Sequence, residues 1–128
     1  MIKIYHYSNK DFRGYIKPDF FSSNSYSGNS QRISGVKRSY FYLEAIPFER
    51  QLEGKKYLYI AQVNKNKIYD IVKDNLRLLN KSKTATILFN KLIKLGYIGI
   101  LGHTTYKFEV ISLFKAIKIK GRKTLTKV

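Results

Sequence analysis

Tyr57-Leu58-Tyr59-Ile60-Ala61-Gln62-Val63 is the stretch on which the fold reading turns, because β-favouring Tyr, Ile and Val put apolar residues on both of its faces. A strand apolar on both sides belongs inside a sheet that is covered by other layers, so the chain reads as sheet-based. Asn64 to Asn66 interrupts the run, and Ile68 to Ile71 resumes an extended pattern with a short helix expected near Asp70 or Asp74. Upstream, Ile2 and Ile4 alternate with Lys3 and Tyr5. This predicts an opening strand that brings His6 to its end or just beyond, followed by a turn from Asn9 to Gly14. Ser39 to Ala45 is aromatic-rich and reads as a short strand, and Pro47 through Gly54 as a turn or short helix. Phe21 to Gly35 is dominated by Ser, Asn, Gly and Gln, too polar to pack, and is expected to be a mobile loop.

Downstream, Ala85, Leu88, Phe89, Leu92 and Leu95 recur at helical spacing, with Ser82 or Thr84 as N-cap and Gly96 placed to end the helix in a left-handed conformation. Tyr97 to Leu101 and Phe108 to Phe114 read as strands, and Ala116 to Ile119 as a last, half-exposed one. The lysine-rich stretch from Lys115 to Lys127 reads as a basic edge or tail. The order of elements is that of an α+β domain, and 128 residues with 44% hydrophobic content suit one domain, residues 1–128, with one core.

Cysteine is absent, which removes disulfides, thiolate metal sites and thiol nucleophiles, and two histidines make a zinc site a poor expectation. Twenty-five Lys and Arg against eight acidic residues give a formal charge of +17, a field that attracts polyanions; the same lysines also suit an ordinary solvated surface. Met1-Ile2-Lys3-Ile4 runs straight into a strand pattern without an apolar leader, and no run has the length of a membrane span. The expected location is therefore the cytoplasm of the producing cell or of a host cell, with no membrane partner.

Three residues are candidates for chemistry. Glu109 opens Glu109-Val110-Ile111-Ser112-Leu113-Phe114 on the strand face of Ile111 and Leu113, where apolar surroundings disfavour a charge unless something pairs with it. His6 follows the Ile2/Ile4 strand, from which an imidazole can project into a cleft. Tyr40, in Arg38-Ser39-Tyr40-Phe41, offers a ring able to stack on a flat cationic one. A hydrogen-bonding His, a stacking Tyr and a strand-borne Glu are the groups needed to hold a bent dinucleotide and break its N-glycosidic bond. The carboxylate stabilises the oxocarbenium-like state.

Ile4-Tyr5-His6, Tyr40-Phe41 and Glu109-Val110-Ile111, in that order and with Leu95-Gly96-Tyr97-Ile98-Gly99-Ile100 before the last, resemble the His-Tyr-Glu branch of the ADP-ribosyltransferases. That branch includes diphtheria-type toxins and the poly-ADP-ribose polymerases, and the likeness is greatest to small phage and mobile-element members. The resemblance covers nearly the whole chain. It implies two small, mostly antiparallel sheets forming an NAD cleft, with a few short helices and the Phe21 to Gly35 loop over the cleft. It also implies NAD as co-substrate, no metal, and a protein or nucleic-acid acceptor. His6 would bond a ribose hydroxyl, the Tyr7 backbone would hold the carboxamide, Tyr40 would stack on nicotinamide, and Glu109 would act on its ribose. An anti-defence role against a host protein is a further implication. In departure from the family pattern, Tyr7 stands where Gly usually follows the His, Ser39 where Gly often precedes Tyr-Phe, and Ile98 where Asp is usual.

Two other classes compete. In a metal-independent ribonuclease, His6 and His103 would serve as general acid and base, although His103 is expected in a turn and Glu109 then has no role. A basic nucleic-acid-binding or nuclease-inhibiting protein would need no active site, only lysines with Tyr and Phe stacking on bases.

Overall fold

The computed structural model describes residues 1–18, 37–44, 55–83, 85–103 and 109–125, with Asn80, Ala85, Thr86, His103 and Glu109 described through their backbone alone. Expectations for the Phe21 to Gly35 loop, the Pro47 to Gly54 turn and a Thr84 cap lie outside the described residues.

Nine strands and two helices are described: β1 (Ile2–Ser8), β2 (Tyr15–Ile16), β3 (Ser39–Tyr42), β4 (Tyr57–Val63), β5 (Ile68–Asp70), α1 (Leu78–Lys81), α2 (Ala85–Lys94), β6 (Gly99–His103), β7 (Glu109–Leu113), β8 (Ile117–Lys118) and β9 (Gly121–Thr124). Seven strands form one sheet in the order β5-β6-β7-β3-β1-β4-β9, and β2 pairs with β8 in a second, two-stranded sheet. Only β5 and β6 run parallel, as their connection through α1 and α2 requires. The protein is thus a mixed α+β domain, mostly sheet. Of the two small sheets expected, only the second is small: the first has seven strands, and its weak point is the β1/β3 junction. There, a single ladder pair, Tyr5 opposite Tyr42, joins the strands, whereas seven pairs join β1 to β4 on its other side.

β4 has the bounds its sequence predicts and lies between β1 and β9, with Leu58, Tyr59, Ala61 and Val63 buried. His6 lies within β1 rather than at its end, because β4 supplies partners as far as Ser8. His103 and Gly102 extend β6 rather than form a turn, paired with Glu109 and Val110. β2 and β9 had no sequence expectation of their own, and both exist through their partners: Ile16 opposite Ile117, and β9 along the outer edge of β4.

The core divides between the two faces of the large sheet. On one face Ile4, Phe41, Tyr59, Ala61, Ile111 and Leu113 pack against Ile16 and Ile117 of the small sheet. On the other, Tyr69 and Ile100 pack against Leu88, Phe89 and Leu92 of α2. The end of α2 follows from its sequence. Gly96, at φ +90°, donates to the Ile93 carbonyl and Tyr97 to that of Leu92, the double closure of a Schellman motif.

The expected helix near Asp74 begins four residues later, and Asp74 holds its start. Its carboxylate accepts from the Leu78 and Leu79 amides at 2.9 and 3.2 Å and from the Tyr69 hydroxyl, which itself accepts from the Leu76 amide. Burial and then the Asp74 bond push the Tyr69 phenol up to about 12. Because the folded value lies above the free one, this stabilisation is present below about pH 10 and is lost as the pH rises through about 12. Tyr69→Phe should cost about 1–2 kcal/mol in denaturant unfolding at pH 7, since it removes one donor from the half-buried Asp74 carboxylate and the acceptor of the Leu76 amide. The difference from wild type should shrink above pH 10.

Candidate functional site

The three strands bearing His6, Tyr40 and Glu109 are neighbours in the sheet, in the order β1-β3-β7. Tyr40 lies opposite Ser112 and Phe41 opposite Ile111, so Glu109 starts β7 two residues beyond the Phe41 rung. At the usual spacing of strands and residues, the backbones of His6 and Glu109 are about 12 Å apart.

His6 sits at the thin β1/β3 junction. Its Nδ1 meets the Tyr40 carbonyl oxygen at 2.5 Å, so the side chain bridges the two strands where ladder pairing gives out. A carbonyl only accepts, which makes Nδ1 the protonated nitrogen and Nε2 the acceptor of the neutral ring. The imidazole is half-buried among aromatic rings, with centroids 5.2 Å from Phe41, 5.8 Å from Phe12 and 6.4 Å from Tyr59. Tyr59 in turn donates to the Lys10 carbonyl at 2.7 Å and accepts from the Phe12 amide at 2.9 Å, which fixes the loop after β1 against the ring. Arg122 of β9 ties down the same loop through Asp11 at 2.5 Å.

Tyr40 does not share a face with His6. Residues alternate along β3, so Ser39 and Phe41 face the side of His6, and Tyr40 and Tyr42 face the other. On that side Tyr42 lies 6.3 Å from Tyr7, and burial together with the Tyr7 phenol raises the Tyr42 phenol above its ordinary value. The Tyr40 ring rests 5.4 Å from the guanidinium of fully buried Arg38. The ring therefore already accepts a cation on one face, the interaction expected of it toward a nicotinamide ring. Sequence reasoning gave Arg38 no role, although strand alternation from Tyr40 puts it on the same side.

The structure also contains a groove of about 680 Å³ that the sequence did not suggest. Ile2, Leu43, Ile68, Leu101 and Ile111 form its floor, and Lys65, Asn66 and Lys73 stand exposed at its rim. These residues come from five separate stretches of chain, so no local pattern could reveal them. Leu101 and Ile111 lie two residues from His103 and Glu109, which face each other as a ladder pair.

Among the described residues no three His, Asp or Glu side chains gather as metal ligands, and no helix is long and apolar enough to cross a membrane. Of the acidic residues, Asp11 pairs with Arg13 and Arg122, Asp70 accepts from the Val72 and Lys73 amides, and Asp74 holds α1. Glu44 is exposed just beyond β3. Comparison with known proteins leaves the geometry to speak for itself: no family model matches the chain, and neither a curated protein nor a solved structure matches it.

Proposed function

We propose that this protein is a mono-ADP-ribosyltransferase that cleaves NAD at the nicotinamide N-glycosidic bond and passes ADP-ribose to a protein or nucleic-acid acceptor. The observation that carries the reading is the adjacency of β1, β3 and β7. Three short motifs spread over more than a hundred residues of sequence lie on consecutive strands, with His6 bonded to the Tyr40 backbone. The thin β1/β3 junction supports it too, because the ladder there is a single pair and the His6 side chain, through the Tyr40 carbonyl, takes over the contact between the strands.

In the reaction, the bond from the ribose C1′ to the nicotinamide nitrogen breaks and its electron pair leaves on that nitrogen, which becomes neutral. The cationic ribose is stabilised by the Glu109 carboxylate until an acceptor nucleophile adds at C1′ and gives up a proton to solvent. Nε2 of His6 would accept from a ribose hydroxyl, the role for which its Nδ1 bond prepares it. Tyr40 meets nicotinamide only with the ring face turned away from Arg38. An anti-defence role remains an extension of this proposal.

The test is release of nicotinamide from NAD by the purified protein, alone and with cell extract treated with nuclease or with protease. Release that extract stimulates, and that one treatment removes, is the expected result and identifies the class of acceptor. Absence of release under every condition would overturn the reading in favour of a basic binding protein.

A further inference from the structure

We propose that the groove beside β6 and β7 seats one nucleotide unit of a single-stranded nucleic acid, and that this strand is the acceptor; only its status as acceptor rests on the transferase reading. The floor is the half-exposed aliphatic surface of a sheet, formed by Ile2, Leu43, Ile68 and Leu101 over buried Ile111, the apolar surface against which a base would pack. Tyr97, whose ring packs edge-on against Tyr69 toward α2, also lines the groove. Above the floor, Lys65 and Lys73 provide two exposed cations spaced along the rim, where phosphates on either side of a seated base would run. Asn66 between them carries both a donor and an acceptor, the pairing chemistry of a base edge.

Among the described residues that line the groove two lysines stand against one carboxylate, Asp70, which is turned to the Val72 and Lys73 amides, so this lining is positive on balance. The volume of about 680 Å³ suits a nucleotide and lies within the range of small-molecule sites. An acidic peptide would meet the two lysines but would leave a wide apolar floor without a flat partner. The position fits an acceptor: floor residues Leu101 and Ile111 are two residues from the His103/Glu109 pair, so the groove ends about 7 Å along the strands from the backbone of Glu109.

The test measures binding of a fluorescent single-stranded oligonucleotide as a function of salt, using the full chain and two double variants of equal charge. Lys65→Ala/Lys73→Ala alters the rim, and Lys91→Ala/Lys94→Ala removes two charges from α2 on the opposite side of the sheet. The rim variant should bind about tenfold or more weakly and lower the salt slope by about 1.4, the release from two single-strand phosphates, while the α2 variant changes little. Nicotinamide release without acceptor should be equal in all three proteins. Equal loss of binding in both double variants would overturn the proposal by showing that the charge acts diffusely. Displacement of the oligonucleotide by NAD would overturn it by making the groove the seat of the dinucleotide. Selective loss in the rim variant from a protein that releases no nicotinamide would uphold the nucleic-acid seat and retire the transferase reading.

Discussion

Glu109→Gln should lower nicotinamide release by about 10²- to 10³-fold while leaving thermal unfolding close to wild type. Gln keeps the shape of the side chain and removes the charge, so the loss reports electrostatic stabilisation of the ribose cation rather than damage to β7. Among the described residues substitutes are few. Asp11, Asp70 and Asp74 are engaged by arginines, by backbone amides and by the start of α1, and none is available for a substrate without breaking those contacts. Glu44 is the informative control, since it is exposed two residues beyond Tyr42, whose ladder partner is Val110. Glu44→Gln should stay within about twofold of wild type. If Glu44→Gln were inactive and Glu109→Gln active, the role would move to Glu44 and the motif assignment of Glu109 would fall.

The largest effect on stability is expected at Gly99. A Cβ there would stand 2.6 Å from the Ser112 carbonyl oxygen, 2.7 Å from Leu113 Cδ2 and 3.2 Å from Ile68 Cδ1. The carbonyl belongs to the backbone of β7 and cannot swing aside as a side chain would, so β6 and β7 must part where Gly99 lies opposite Leu113. Gly99→Ala should therefore cost about 3 kcal/mol, the upper part of the range for overpacking, and lower Tm by about 10 °C. Gly121→Ala should be nearly neutral, because its new Cβ would meet Ile60 only at 3.7 Å. A wild-type Tm for Gly99→Ala would refute the β5-β6-β7 register, and with it the pairing that sets Glu109 opposite His103.

What could be read in advance was what a single segment encodes. β4 has apolar residues on both faces and is bounded by polar runs, so its limits were legible to the residue. α2 and Gly96 were legible because helical spacing and a terminal glycine are local signals. β9 was not, since Gly-Arg-Lys-Thr has no apolar alternation and becomes a strand only because the outer edge of β4 needs hydrogen-bond partners. The extension of β6 to His103 has the same origin in β7. At the candidate site, His6, Tyr40 and Glu109 were singled out from three separate motifs, and their strands are neighbours in the sheet. That the His6 and Tyr40 rings lie on opposite faces depends on the register between β1 and β3, which neither strand specifies alone.

The strand order also governs how the chain must assemble. β1, first in the sequence, takes its partners from residues 57–63 on one side and 39–42 on the other, and the sheet around it is finished only when residues 109–113 and 121–124 arrive. So many distant pairings make folding slow, and until they are made several apolar strands expose unpaired edges to neighbouring chains. A charge of +17 repels one unfinished chain from the next throughout that interval. The excess of lysine thus has a use before any partner is met: it shields the molecule from its own kind while the last strands close the sheet.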